Sequence, residues 1–275
     1  MLIVDAQVHI WPPNTPERPW PARAAPHRAP LGKDELLGEM DKAGVDRVVI
    51  VPPSWEGDRN DFALAAAQAH PDRFAVMGRF DPDAPAAREM LPAWKSQPGM
   101  LGMRFTFHTD LLRQPLLDGR FDWVWGAAEQ ANIPLMVLAH HAYAHLIDGV
   151  AMRYPGLRLV MDHLGLDSTR KDEVAFQDLD KLLALARRPN IAVKASAMPC
   201  YTTDPYPCRW LHPYLRRVYD AFGPRRMFWG TDWSRLPCTY RQGVTLFTEE
   251  IPWLTADDKD WIMGRGLCEW LGWKV

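Results

Sequence analysis

Short apolar runs alternate with longer amphipathic stretches from one end of this chain to the other. Most of the runs are rich in Val, Ile, Leu, Met or Phe and are too short to be core helices, so the pattern predicts strands. Their continuous apolar character is typical of parallel strands that are covered on both faces. The predicted strands are Leu2–His9, Val45–Val51, Phe74–Arg79, Met100–Phe107, Ile133–His140, Leu157–His163, Ile191–Ser196 and Met227–Asp232.

The stretches between the strands have helical spacing, and several end at turn signals such as Gly44. The predicted helices are Lys33–Ala43, Asp58–Ala69, Ala86–Lys95, Trp123–Ala131, His145–Tyr154, Phe176–Arg187 and Pro213–Phe222, with a last helical region from Arg241 to Trp270. Eight β-α units in a row predict an α/β fold, a single (β/α)8 TIM barrel that occupies residues 1–275 as one domain. A doubly wound open sheet is the alternative, but it normally needs a glycine-rich first turn, and His9–Pro13 contains no glycine.

The proline-rich segment Trp11–Pro30 interrupts this alternation. A loop of this length after strand one is either a lid over the barrel mouth or a flexible excursion. As a lid it would contribute Trp11, Trp20 or a basic group to the site. The basic residues of the segment are Arg18, Arg23, His27 and Arg28.

The bulk composition is that of an ordinary globular protein, with 47% hydrophobic and 24% charged residues. A formal net charge of -2, without basic or acidic runs at either end, argues against nucleic acid or a membrane surface as the main partner. The apolar start is interrupted at Asp5 and lacks a basic leader, and no later stretch has the length of a membrane span. We therefore expect a cytoplasmic enzyme without a signal peptide.

Four cysteines lie in the last third of the chain, and three of them flank predicted loops near strand ends. A site built from Cys200, Cys208 and Cys238 is one interpretation, but their spacing lacks the close Cys-x-x-Cys pairs of structural zinc sites. Together with Cys268 they are predicted to be reduced, individually placed thiols.

Polar residues concentrate at the C-terminal ends of the predicted strands, where barrel enzymes carry their chemistry. Each has a structural explanation by itself; Asp232, for example, could cap the following helix. Buried charged groups are costly unless they are paired or functional, so their convergence predicts an active site. His108, His145 and His212 fit surface or helix positions instead. The strand-end residues are Gln7, His9, Ser54, Glu56, Asp58, Asn60, Arg104, Thr106, His140, His141, Asp162, His163, Lys194, Ser196 and Asp232.

Four short motifs give these strand ends a specific resemblance. The chain resembles the amidohydrolase-related family of the amidohydrolase superfamily, with the motifs in the expected order on the expected strands. Within that family it looks most like the 2-pyrone-4,6-dicarboxylate lactonase-like hydrolases, which include sugar-lactone and muconolactone hydrolases. The motifs are Asp5-Ala6-Gln7-Val8-His9, Gly102-Met103-Arg104-Phe105, Asp162-His163-Leu164-Gly165 and Trp229-Gly230-Thr231-Asp232-Trp233.

The resemblance implies a role for each matching residue. Asp232 would be the general base that activates the hydrolytic water, and His163 and His9 would polarise or hold the scissile carbonyl. Ser54 falls where such lactonases use a serine, and Arg104 where they use an arginine to bind a substrate carboxylate through two parallel hydrogen bonds. The further candidates for substrate binding are Gln7, Lys194, Arg235 and Arg241.

Two departures from the family pattern leave the metal content open. Gln7 occupies the first position of a His-x-His pair, and an amide binds divalent metals poorly beside imidazole or carboxylate. His140 stands on strand five, where metal-dependent relatives carry a ligand and metal-free lactonases need none. One interpretation is a divalent metal, with zinc favoured, held by a set of imidazoles and a carboxylate. The other keeps His140 hydrogen-bonded in a metal-free site. The candidate ligands are His9, His140 or His141, His163 and Asp232.

The favoured function is hydrolysis of a lactone or related cyclic ester that carries a carboxylate. A first alternative is metal-dependent, non-oxidative decarboxylation of an aromatic or unsaturated acid. A second is an inactive barrel that binds a small acidic ligand, because Gln7 is also what a lost site would leave. The Trp and Tyr content of Tyr201–Tyr219 suits an interface, but the sequence identifies neither the substrate nor the oligomeric state.

Overall fold

The computed structural model describes residues 1–21 and 29–274, and its centre is one parallel sheet of eight strands. Each strand pairs with the next one along the chain, so the spatial order equals the sequence order. This order confirms the predicted barrel, because a doubly wound sheet reverses its strand order at a switch point. The strands are β1 (Val4–Val8), β2 (Arg47–Ile50), β3 (Phe74–Gly78), β4 (Met100–Thr106), β5 (Leu135–Leu138), β6 (Leu159–Met161), β7 (Ile191–Ser196) and β8 (Met227–Gly230).

Helices connect the strands and cover the outside of the sheet. They are α1 (Lys33–Ala43), α2 (Asp61–Ala69), α3 (Ala87–Met90), α4 (Asp110–Leu117), α5 (Asp122–Gln130), α6 (Ala144–Arg153), α7 (Asp172–Phe176), α8 (Leu179–Leu183), α9 (His212–Phe222), α10 (Tyr240–Thr248), α11 (Ala256–Asp260) and α12 (Gly266–Leu271). The sequence pattern missed α4, which contains Pro115 and begins where the Thr109 hydroxyl accepts a hydrogen bond from the Leu112 N–H at 3.3 Å. The helix predicted over Phe176–Arg187 is instead the end of α7, then α8 and a 3-10 turn.

Hydrogen bonds at the seam between β1 and β8 complete the barrel. The Asp232 N–H donates to the Gln7 carbonyl at 2.9 Å, and the Thr231 N–H donates to Oδ1 of Asp5 at 2.9 Å. Asp5 is fully buried and also accepts from the Gln7 N–H at 3.0 Å and the Tyr240 hydroxyl at 2.9 Å. One carboxylate therefore ties β1 to the segment after β8 and to α10.

The barrel interior changes from apolar to charged along the strands. Val160 and Ala192 belong to an apolar cluster that α12 completes with Leu267, Cys268 and Leu271. Alternate side chains of a strand share a face, so the residues two positions later also point inward, nearer the C-terminal mouth. On β7 and just after β6 these residues are Lys194 and Asp162, both fully buried.

Hydrogen bonds within the Trp11–Pro30 segment and to the adjacent Leu31 connect its described residues. The Trp11 backbone pairs with Leu31, and its indole donates to the Ala29 carbonyl at 2.9 Å. The Trp20 indole donates to the Pro12 carbonyl at 3.0 Å. The lid remains a prediction. The basic residues Arg23, His27 and Arg28, which were predicted to contribute to it, lie outside the described residues.

Two further expectations concern the chain as a whole. All four cysteines are free thiols, as predicted. In the described residues, none of the helices combines the length and the apolar character that crossing a bilayer requires.

Candidate active site

A cavity of about 190 Å³ opens at the C-terminal ends of the strands. That volume suits a small ring rather than a polymer segment. Most of the predicted site residues line it, in agreement with the position of active sites in barrel enzymes. The lining residues are Gln7, His9, Pro53, Ser54, Trp55, Arg104, Thr106, His108, Leu138, His140, His163, Leu166, Ser168, Tyr201, Asp232, Ser234 and Arg235.

The protonation state of His9 follows from its backbone contact. Nδ1 of His9 lies 2.6 Å from the Val51 carbonyl oxygen, which can only accept a hydrogen bond. The hydrogen of the neutral ring is therefore on Nδ1, and Nε2 presents a lone pair. Nε2 lies 3.3 Å from Oδ1 of Asp232 and 3.4 Å from Nε2 of Gln7. Neutral His9 can thus accept a proton or a hydrogen bond at Nε2, but it cannot donate one to a substrate carbonyl.

His163 sits on a strained turn. His163, Leu164 and Gly165 all have left-handed backbone, with φ values of 51°, 53° and 67°. Such residues cost on the order of 1–3 kcal/mol each for side chains other than glycine, and they cluster at functional sites. A Cβ at Gly165 would also meet the His141 ring at 2.9 Å. The strained turn puts the His163 ring inside the barrel, where Nδ1 lies 2.8 Å from the Ser196 hydroxyl.

Asp232 also has left-handed backbone, with φ 49° and ψ 48°, and its side chain is 2% exposed. Oδ2 of Asp232 pairs with Nη1 of Arg235 at 3.2 Å and lies 3.7 Å from Nε2 of His163. Oδ1 is buried and accepts no hydrogen bond from the described residues. The 3.3 Å approach of His9 does not change this, because its Nε2 carries no hydrogen in the neutral ring. Asp232 thus keeps one basic oxygen available at the cavity.

Burial and charge separate the pKa values of these groups. Burial lowers the pKa of His9, and it lowers the pKa of His163 to about 3, so both rings are neutral at pH 7. Burial raises the pKa of Asp232, but the neighbouring His9, His163, Arg235 and Arg104 lower it by more.

A chain of buried polar groups lies behind the histidines. Nζ of Lys194 is 2.5 Å from Oε1 of Gln7 and 2.7 Å from Oδ1 of Asp162. Nε of Arg104 donates to the other oxygen of Asp162 at 3.0 Å. Lys194 was predicted to bind substrate, but it is fully buried and does not line the cavity. The Lys194 ammonium group contacts Gln7 and Asp162, so it holds these side chains in place from behind the cavity.

The ends of β3 and β4 carry more positive charge than the motifs predicted. Arg104 lines the cavity, whereas Arg79 lines an adjoining pocket that shares Ser54, Arg104 and Thr106 with it. Arg79 and Arg104 both donate to the Thr106 hydroxyl, Arg79 at 2.9 Å. Arg79 forms no ion pair with an acidic side chain of the described chain, and burial together with Arg104 lowers its pKa to about 9. Arg79 stands two residues after Met77, an interior residue of β3, so the rule that identified Lys194 would also have found it.

The position of His108 also differs from the prediction, which placed this residue at the surface or on a helix. It lines the cavity, and its Nδ1 is buried without a hydrogen-bond partner among the described residues. Burial lowers its pKa to about 4, so it is neutral at pH 7. It lies two residues after the end of β4, beyond the four-residue motif around Arg104, so no motif included it.

The other candidates fall into two groups. Ser54, His140 and Arg235 line the cavity. His141 donates from Nε2 to the Leu164 carbonyl at 2.6 Å, and Arg241 contacts the Ala43 carbonyl on the outside of the barrel. These last two are explained by structural contacts alone.

The donor set does not fit a metal ion. Among the described residues, no three His, Cys, Asp or Glu side chains form a group that could hold one. His140 lies on the cavity wall without a hydrogen bond or ion pair to His9, His163 or Asp232. Nε2 of Gln7 is 3.4 Å from Nε2 of His9 and 3.3 Å from Nε2 of His163, where a metal bound by both rings would have to approach.

Comparison with known proteins agrees with the fold and the motifs. The family model described as Amidohydrolase matches residues 4–265. An L-fucono-1,5-lactonase from Burkholderia ambifaria is 29% identical over 249 residues, which cover 85% of this chain and 81% of the relative.

Two solved structures are similar over nearly their whole length. An amidohydrolase from Burkholderia multivorans with bound zinc has a TM-score of 0.84 at 21% identity, covering 99% of each chain. A probable 2-pyrone-4,6-dicarboxylic acid hydrolase from Acinetobacter baumannii, with citric acid bound, has a TM-score of 0.77 at 19% identity, covering 99% of this chain and 100% of the other. At these identities the similarity concerns the fold.

Proposed function

This chain belongs to the amidohydrolase family, and we propose that it hydrolyses a lactone or related cyclic ester that carries a carboxylate. The observation that carries the proposal is Oδ1 of Asp232, a buried carboxylate oxygen with no hydrogen-bond donor among the described residues, at the cavity of a barrel mouth. The 29% identity to an L-fucono-1,5-lactonase supports the same reaction class.

In the proposed mechanism, Asp232 is both base and acid. Its Oδ1 takes a proton from water as the water oxygen attacks the lactone carbonyl carbon. The ring C–O bond of the tetrahedral intermediate then breaks, and the leaving alkoxide takes that proton back. The products are a carboxylic acid and an alcohol on one open chain, and at neutral pH the acid loses its proton to solvent.

Stabilising the tetrahedral oxyanion needs a donor other than neutral His9. Arg235 lines the cavity, and its guanidinium is fixed by Oδ2 of Asp232 at 3.2 Å and by the Tyr201 ring at 5.9 Å. We assign the oxyanion contact to its remaining N–H groups. Loss of one such donor typically lowers turnover by about 10²–10³. Ser54 at the cavity rim and His163 remain proposed substrate contacts.

The charge balance of the wall supports an acidic substrate. Among the described residues, Arg79, Arg104 and Lys194 have only the Asp162 carboxylate as an ion-pair partner. Two guanidinium groups that share the Thr106 hydroxyl repel each other, and a substrate carboxylate would relieve that repulsion. We therefore propose that Arg104 and Arg79 together bind the substrate carboxylate.

The two alternatives are less well supported. Metal-dependent decarboxylation requires a tightly bound ion, which the donor set around Gln7 does not fit. An inactive binding barrel would not need a strained, buried and partly unsatisfied Asp232. We propose a cytoplasmic location and a small-molecule partner only.

The test is a set of five- and six-membered lactones, each with and without a ring carboxylate, followed by acid release in a weakly buffered indicator assay. The wild-type enzyme should hydrolyse carboxylated lactones, with activity unchanged after chelator treatment. Arg104→Met should raise KM for carboxylated lactones and leave KM for uncharged ones unchanged.

Hydrolysis of uncharged lactones alone would contradict the carboxylate assignment while keeping the reaction. No lactone turnover, combined with release of CO2 from an aromatic acid that stops on chelation, would favour the decarboxylase instead.

A further inference from the structure

The orientation of the Gln7 amide is determined by a single buried cation. An ammonium group can only donate hydrogen bonds, so the group of Gln7 that faces Nζ of Lys194 at 2.5 Å is the carbonyl oxygen. Lys194 cannot move away easily, because it is fully buried and pairs with Asp162 at 2.7 Å. The amide NH2 therefore faces the two histidines.

The NH2 group meets two imidazole nitrogens at once. Nε2 of His9 must present a lone pair, since its Nδ1 hydrogen is used by the Val51 carbonyl. His163 completes the same arrangement when its Nδ1 donates to the Ser196 hydroxyl, which leaves its Nε2 to accept from Gln7. The two hydrogens of one amide then satisfy the two lone pairs that a metal ion would need.

We infer that Gln7, oriented by Lys194, is a built-in replacement for a metal ion between His9 and His163, and that this pair excludes zinc from the site. Gln7 acts by occupying the imidazole lone pairs. Lys194 is a positioning residue, because it acts through the amide and touches no part of the cavity.

Electrostatics supports the same inference. Lys194 and Arg104 already share Asp162, so the local balance is positive before any ion enters. A divalent cation beside a buried ammonium is repelled strongly where little water screens the charges. Oδ1 of Asp232, which lies 3.3 Å from Nε2 of His9, is the proposed base and would lose its basicity as a metal ligand.

The test replaces Gln7 with histidine and measures metal binding directly, without any substrate. The double variant Gln7→His/Lys194→Met creates a His-x-His pair and removes the buried ammonium. We expect it to bind one Co²⁺ per chain, seen by visible absorption, about 100-fold more tightly than the wild type. Gln7→His alone should bind far more weakly than the double variant, since the ammonium remains. Zinc content after equilibrium dialysis should follow the same order.

Equal cobalt affinity of Gln7→His and the double variant would overturn the role of Lys194. Tight stoichiometric zinc in the wild type would overturn the whole inference. Should Lys194→Met prevent folding, Gln7→Glu keeps both size and the Lys194 contact while removing the amide hydrogens. It should gain cobalt affinity, whereas Gln114→Glu on the exposed face of α4 should not. No gain in Gln7→Glu would also overturn the inference.

Because metal binding is measured without substrate, these outcomes are separate from the fate of the proposed lactonase activity. A lactonase that binds zinc would refute only this inference. A zinc-excluding protein that opens no lactone would refute only the reaction.

Discussion

Two buried aspartates, Asp5 and Asp232, lie on either side of the seam between β1 and β8, and their surroundings differ in kind. The oxygens of Asp5 accept from two backbone N–H groups and from the hydroxyls of Thr231 and Tyr240, and no cationic side chain of the described residues pairs with it. Asp232 pairs with Arg235 on one oxygen, and the other has no hydrogen-bond donor within the described part of the chain. Similar burial therefore serves two purposes: Asp5 holds the barrel closed, and Asp232 remains reactive.

The pKa values of the two carboxyl groups diverge for the same reason. Burial raises the pKa of Asp5 to about 6, because its uncharged donors only partly offset the loss of solvation. For Asp232, burial also raises the pKa, but neighbouring imidazoles and guanidinium groups shift it below its ordinary value. Neutral partners thus make a buried carboxylate a structural element, whereas cations keep it ionised and available.

The largest effect should come from Asp232→Asn. We expect kcat for a lactone substrate to fall by about 10³, since the proposed general base is removed. Stability in urea should change little, because asparagine tolerates the left-handed backbone at this position. Asp5→Asn is the matched control, and its folded fraction should keep a near-normal kcat. Equal losses of kcat in the two variants would remove the distinction between the two carboxylates.

Asp5→Ala should cause the largest loss of stability. It leaves the Thr231 N–H, the Gln7 N–H and the Tyr240 hydroxyl without their acceptor, at about 1–3 kcal/mol for each buried group. The expected decrease in the free energy of unfolding is about 4 kcal/mol. Tyr240→Phe removes a single donor and should cost about 1 kcal/mol. Urea titration of both variants measures the two decreases in the free energy of unfolding. Equal decreases would show that the Asp5 carboxylate does not hold the other two donors at the seam.

The pH dependence of stability should separate the two aspartates further. The folded pKa of Asp5, about 6, exceeds its ordinary value of 3.8, so folding favours its protonated form. This contribution is fully present below about pH 4 and is lost as the pH rises through about 6, a change of about 3 kcal/mol. Asp162, with a pKa lowered to about 2, acts in the opposite direction at lower pH. The unfolding free energy of the wild type minus that of Asp5→Asn should therefore fall by about 2 to 3 kcal/mol from pH 4 to 7, and parallel curves would contradict the assignment.

The smallest effect concerns Arg79, the cation in the pocket that adjoins the cavity. Arg79→Met should raise KM for a carboxylated lactone about 10-fold, as expected for one charged hydrogen bond, with kcat unchanged. Arg216→Met, in an exposed pair with Asp220, is the control and should leave KM unchanged. A fall in kcat at constant KM would place Arg79 with the reacting atoms instead of the carboxylate.

Local pattern was sufficient for the fold and for most of the residues at the barrel mouth. Apolar runs predicted all eight strands, and the rule that strand ends carry chemistry selected His9, His163 and Asp232. The prediction missed Arg79 and His108 because neither lies in a recognised motif, although both follow from their strand positions. It also assigned Lys194 to substrate binding, because a sequence pattern does not distinguish residues that line the cavity from inward-facing residues in the layer behind it.

The sequence by itself therefore determined which side chains reach the mouth of the barrel, because strand periodicity is a property of neighbouring residues. Only the tertiary structure decided what those side chains do there. The Gln7–His163, Gln7–Lys194 and Asp5–Tyr240 contacts join residues 156, 187 and 235 positions apart. The direction of an amide, the tautomer of an imidazole and the free oxygen of a carboxylate depend on such partners, which meet only when the barrel closes.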